Sequence, residues 1–144
     1  MSESNKALVR TFIEEVINQN RFDLLDGILA DGFVYHEPYL GDLNGVDGYR
    51  QLVTMWRIAF PDVKFTIREQ LAEEQTVITL GVATGTHTGP LMGIPPTGRR
   101  ISSPCILISR FAHGKIAESW EHYDAAAMLH QLGVADGTAF PKVA

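Results

Sequence analysis

A chain of 144 residues that is 45% hydrophobic and 20% charged has the composition of one globular domain, long enough to bury a core with a cavity in it. Its formal charge of −5 argues against nucleic acid and anionic membrane as partners, and no apolar run is long enough to cross a bilayer. The single Cys105 excludes an internal disulfide and the start Met1-Ser2-Glu3-Ser4 has no basic-then-apolar leader, so the expectation is a cytoplasmic protein.

In chain order, Leu8, Phe12, Ile13, Val16 and Ile17 recur at helical spacing behind Ser4 as a candidate N-cap, which predicts a first amphipathic helix. Leu24, Leu25, Ile28 and Leu29 predict a second, shorter one over Phe22 to Ala30, ended by Asp31-Gly32. Phe33-Val34-Tyr35-His36 reads as a short strand stopped by Glu37-Pro38, followed by a loop from Tyr39 to Gly45. A third helix is expected from about Val46 to Ala59, with Tyr49, Leu52, Val53, Trp56 and Phe60 along its buried side. Val63 to Arg68 alternates as a half-buried strand, and Glu73-Glu74-Gln75 turns the chain into another from Thr76 to Thr86. On that strand Gly81, Ala83 and Gly85 leave one face short of bulk, which makes room for another element, a ligand, or a bend in the sheet.

The segment from His87 to Arg100 is a long loop rich in Gly and Pro, of a length that is often functional. Ile101 to Phe111 and Lys115 to Tyr123 then predict a hairpin closed by Ala112-His113-Gly114, a three-residue loop with a glycine bulge. An odd loop puts the odd-numbered residues of both strands on one face: Ser103, Cys105, Leu107 and Ser109 with Ala117, Ser119, Glu121 and Tyr123. The even face carries Ile106, Ile108 and Arg110 with Ile116, Glu118, Trp120 and His122, and is expected to be a packing surface or the contact of a homodimer. Asp124 caps a last helix over Ala125 to Leu132, and the tail from about residue 134 to 144 has no periodicity.

This order of elements predicts a single α+β domain in which a strongly curved antiparallel sheet, a cone-like half barrel, is covered by the N-terminal helices. The cone offers a pocket for an apolar or aromatic small molecule, with Tyr35, Trp56, Phe60, Leu107 and Tyr123 as candidate walls and His87 at the rim. Glu121 is the candidate acid–base residue, since a carboxylate among Leu107, Cys105 and Tyr123 would be desolvated and its pKa raised; a solvent-exposed acid or salt-bridge partner is the competing reading. His36 is the second candidate, able to polarise a carbonyl at the pocket mouth or to serve only as a structural histidine. None of the five histidines forms a ligand pair, and glycine-rich phosphate loops and Gly-x-Ser-x-Gly elbows are absent, so no metal or nucleotide cofactor is expected.

The stretches LVRTFIEEVINQ, FVYHEP, LMGIPPTGRR, RFAHGKIAESW and LHQLG together resemble the SnoaL-like polyketide cyclases, or ester cyclases, of the nuclear-transport-factor-2-like superfamily. The resemblance implies a buried carboxylate on the last strand that removes an acidic proton from a polyketide ester, so that the enolate closes a ring by intramolecular aldol addition. Aligned on RFAHGKIAESW, that position is Glu121, a Glu where the family has Asp. The histidine that accompanies the base in the family aligns with Leu107. Three classes of function follow: a cofactor-independent cyclase-like enzyme, or a related hydroxylase or epoxide-opening enzyme; a non-catalytic small-molecule-binding protein; and an interaction module using the face of Ile106, Ile108, Trp120 and His122.

Overall fold

The computed structural model describes residues 2–134; the tail from 135 to 144 lies outside them. Six strands form one open sheet in the order β2-β1-β6-β5-β4-β3: β1 (Leu29–Glu37), β2 (Gly41–Asn44), β3 (Lys64–Glu73), β4 (Thr76–Thr86), β5 (Arg100–Ala112) and β6 (Lys115–Tyr123). All neighbours are antiparallel except β1 and β6, which run parallel. Helix α1 (Ser2–Thr11), continued by a wider π-helical turn (Phe12–Ile17), and helix α3 (Gly45–Ala59) lie over one face of the sheet. Val9, Phe12, Ile13 and Val16 meet Tyr49, Leu52 and Val53 there in one core with the inward residues of β1, β5 and β6. Among the described residues no helix is long and apolar enough to cross a membrane.

Two elements depart from the periodic reading. The apolar run after Phe22 gives a single 3₁₀ turn (Phe22–Leu24) and the four-residue helix α2 (Leu25–Ile28), because Leu29 is already extended and hydrogen-bonded into the sheet beside Ile116. The expected loop before α3 contains β2, an edge strand of Gly41, Asp42, Leu43 and Asn44 that pairs only with β1.

The β5–β6 hairpin turns through two residues, not three: Ala112 pairs with Lys115, and His113 (φ 53°) and Gly114 (φ 78°) both lie in the left-handed region that a tight hairpin turn requires. A two-residue turn alone would place the even residues of β6 on the odd face of β5. Instead Phe111 pairs with Ile116 and Arg110 with Glu118, which leaves Ala117 as the extra residue of a bulge. Beyond it Ser109 faces Ser119, Leu107 faces Glu121 and Cys105 faces Tyr123, so the expected odd face forms with two corrections. Ile116 is fully buried on the inner face with Phe111, and Ala117 is not a regular member of that face.

The glycines of β4 make room for side chains of the protein itself. A Cβ on Gly81 would stand 2.3 Å from the Phe65 ring, and one on Gly85 would stand 2.9 Å from Phe60. The long loop after β4 is packed rather than open. Leu91 and Ile94 join Ala59, Phe60, Ile101 and the last helix α4 (Ala125–Gln131) in a second apolar cluster that closes one end of the cone. Asp124 accepts the Ala127 N–H at 3.0 Å and caps α4 as its sequence predicts.

Candidate active site

Between α3 and the inner face of the sheet lies an apolar cavity of about 100 Å³. Trp56 and Phe60 from α3, Tyr35 from β1, Cys105 from β5, and Glu121 and Tyr123 from β6 are among its walls. Helical spacing aligns Trp56 over Phe60, with ring centroids 6.2 Å apart, and the Trp56 ring meets Tyr123 edge-on at 5.9 Å. The sheet residues arrive by alternation: Tyr35 on β1 and Glu121 and Tyr123 on β6 all point to the side covered by the helices.

Glu121 is the acid of this cavity. Burial among apolar groups penalises its charged form and raises its pKa to about 7; a hydrogen bond with the Tyr35 hydroxyl lowers it in part, and the nearby negative charge of Glu37 raises it further. The same surroundings push the Cys105 thiol up to about 12, chiefly by burial and then by the charge of Glu121. Cys105 is an inert thiol whose Sγ donates to the Ser103 carbonyl at 3.4 Å.

A second carboxylate stands beside the first. Glu37 is 3% exposed, and its Oε2 accepts the backbone N–H groups of Tyr39 at 2.9 Å and Leu40 at 2.5 Å. Its Oε1 accepts the Tyr123 hydroxyl at 2.7 Å. With three donors Glu37 is a fastened anion that ties the turn after β1 to the end of β6, and it fixes the Tyr123 ring against the cavity.

His36, expected at the pocket mouth, lies on the opposite face of the sheet. Successive strand residues point to opposite sides, so with Tyr35 and Glu37 inward His36 must point outward. There it bridges two acids, Nδ1 to Asp42 and Nε2 to Glu118, each at 2.6 Å, and stacks on Trp120 with centroids 5.1 Å apart. His87 is also displaced from the expected rim. It is fully buried at the base of the long loop, where its Nδ1 accepts the Thr97 N–H at 3.2 Å and lies 2.9 Å from the Thr97 hydroxyl, and its ring rests on Phe60. Burial lowers its pKa, so it is a neutral pin for the loop. Leu107 faces the right way, directly opposite Glu121 in the strand register, but at 3% exposure it fills the core and is not a wall of the cavity.

Tyr35, Trp56, Phe60, Glu121 and Tyr123 are therefore brought together as expected, and His36, His87 and Leu107 are not. Glu37 and Tyr49 are the residues that sequence reasoning passed over as site groups. Glu37 has the same strand parity as Tyr35, and Tyr49 lies seven residues before Trp56, two helical turns along the same stripe of α3; both signals were present.

The SnoaL-like polyketide cyclase model matches residues 7–132. An aklanonic acid methyl ester cyclase, DnrD of Streptomyces peucetius, is 29% identical over 131 residues, 88% of each chain. A nogalonic acid methyl ester cyclase of Streptomyces nogalater is 34% identical over 91 residues, 62% of this chain and 67% of that one. Among solved structures, wild-type IdmH from Streptomyces antibioticus superimposes with a TM-score of 0.80 at 28% identity, covering 90% of this chain and 99% of its own.

Proposed function

The chain belongs to the SnoaL-like polyketide cyclase family and is a polyketide cyclase-like enzyme, and from that premise we propose that Glu121 is the general base of an intramolecular aldol-type ring closure on an enolisable polyketide ester. The observation that carries the reading is one carboxyl group, raised to about 7 by burial, at the wall of an apolar cavity between helix and sheet. A base poised near neutrality is half ionised at cellular pH and still accepts a proton readily.

The Glu121 carboxylate removes the proton from the carbon between two carbonyl groups, and the C–H electron pair becomes the enolate. That carbon attacks a ketone carbon of the same molecule, forming the new C–C bond. The resulting alkoxide takes the proton back from the Glu121 carboxylic acid, which restores the base. Tyr35 holds the carboxyl in place through its hydroxyl, and Trp56, Phe60 and Tyr123 supply flat apolar walls for an aromatic ligand. No cofactor is needed for any of these transfers.

The test is α-proton exchange of ethyl acetoacetate in D₂O, followed by NMR, which isolates the first step from ring closure. The wild-type chain should accelerate the exchange and Glu121→Gln should lose about 10²- to 10⁴-fold of that acceleration. Equal rates for the two would remove Glu121 from the mechanism. Our reading also includes self-association through the outer sheet face, where Ile106 is 38% exposed beside Ile108 and His122.

A further inference from the structure

Three phenols surround the cavity, and two of them are committed. Tyr35 is hydrogen-bonded to Glu121, and the Tyr123 hydroxyl donates to Glu37 at 2.7 Å. The hydroxyl of Tyr49, by contrast, has no hydrogen-bond partner among the described residues. Its ring is fixed on three sides, by Phe12 at 4.9 Å, Tyr35 at 5.1 Å and Phe33 edge-on at 6.3 Å, and the residue is 2% exposed. The unpaired O–H belongs to a side chain that is one of the cavity walls, where a ligand can meet it.

We propose that the Tyr49 hydroxyl is the hydrogen-bond donor that receives the substrate's carbonyl oxygen and stabilises the enolate formed there. The proposal rests on Glu121 as the base and names the group that works opposite it. Of the other candidate donors, His36 is on the outer face and the position across from Glu121 on β5 is Leu107; the Trp56 indole N–H is the remaining unpaired donor on the wall among the described residues. Ser103 also borders the cavity, but it lies four positions from Leu107, about 13 Å along the strand.

Charge bookkeeping favours the same arrangement. Tyr49 is close enough to Glu121 for the carboxylate's field to act on its proton, and burial and that field together hold the phenol well above its ordinary pKa. Tyr49 therefore keeps its O–H and donates without ionising. When Glu121 takes the substrate proton, the negative charge leaves the carboxylate and appears on the substrate oxygen. A fixed donor aimed at that oxygen gains strength at the moment of transfer and needs no reorganisation. No covalent bond to Tyr49 forms or breaks.

The probes are acetophenone, whose carbonyl can only accept a hydrogen bond, and ethylbenzene, which has the same shape without the oxygen. At pH 8, above the pKa of Glu121, the carboxylate cannot donate. Wild-type protein should bind acetophenone about tenfold more tightly than ethylbenzene, with the carbonyl stretch of the bound ketone moved to lower frequency. In Tyr49→Phe, which keeps the ring, ethylbenzene affinity should be retained while the ketone advantage and the infrared shift are lost. The same variant should lower kcat for ethyl acetoacetate exchange by about 10²-fold with KM little changed.

A ketone advantage that is absent in the wild type, or that survives in Tyr49→Phe, overturns the assignment. Glu121→Gln separates the two claims. If it retains the ketone advantage and loses exchange, both stand; if it retains exchange as well, the base reading fails and the Tyr49 donor is judged on binding alone.

Discussion

Glu121 reaches its place in the fold at a cost in stability that its protonation state reports. Its carboxyl titrates at about 4.5 in an unfolded chain and about 7 in the folded one, so the folded state binds the proton more tightly. A group raised in this way contributes stability that is fully present below about 4.5 and is lost as pH climbs through about 7. Glu121→Gln should therefore leave stability nearly unchanged at pH 4.5 and raise it by up to about 3 kcal/mol at pH 8, where the wild-type chain buries a charge. Denaturant titrations of both chains at the two pH values measure this directly, and a glutamine variant no more stable at pH 8 would put Glu121 in water. The same ionisation sets the rate: exchange should rise about tenfold per pH unit below 7 and level off above it. Among single residues, Glu121 was placed on the right face from an odd loop that the two-residue turn does not have; the bulge at Ala117 restores the same parity. His36 was not, although the reason was also available: a strand that sends Tyr35 into a cavity cannot send its neighbour there too.

The elements are tied at the edge of the sheet by a charge device on the outer face. His36 on β1 meets Asp42 on β2 and Glu118 on β6, while Arg110 on β5 lies 3.9 Å from Glu118 and 4.9 Å above the Trp120 ring. A neutral imidazole has one N–H and cannot donate to both acids. Partial burial pulls the His36 pKa down, but the hydrogen bonds and charges of Glu118 and Asp42 outweigh it and the net shift is upward. Its contribution is full below about 6.5 and is lost as pH rises through the raised folded-state value. His36→Gln should cost on the order of 1 kcal/mol at pH 6, and the difference should narrow by pH 9. Thermal unfolding at the two pH values checks the sign, and a gap that widens with pH would contradict the bridge. Most elements were visible in the sequence as periods of apolar residues, down to the first and last residue of β4. β2 was invisible because Gly41, Asp42, Leu43 and Asn44 carry no pattern of their own; they are a strand only because β1 offers them an edge. Helix α2 was overdrawn for the opposite reason, since tertiary pairing at Leu29 overrode a local helical repeat.

As a whole the molecule is a sheet with one covered face and one bare one, and its net charge of −5 is no bar to apolar contact on the bare side. The exposed Ile106 makes a decisive probe for self-association. Wild-type protein should sediment at twice the mass of one chain and Ile106→Glu at that of one, with the cavity chemistry intact in both; a wild-type chain sedimenting alone would remove the interface from the reading. The overall architecture was legible because motif and periodicity agreed, whereas the cavity's inventory of donors depended on packing that no pattern encodes, such as the three rings that hold Tyr49. The bulge at Ala117 carries a consequence for how such a scaffold diversifies. Nine residues of β6 hold two latent inward faces: Ser119, Glu121 and Tyr123, or Glu118, Trp120 and His122. Which set faces inward depends on a count, and gaining or losing a single codon beyond Ala117 would exchange the cavity's acid for an imidazole and an indole without one substitution. On this strand a frame of one residue is a unit of inheritance, and new chemistry can be reached by slipping rather than by rewriting.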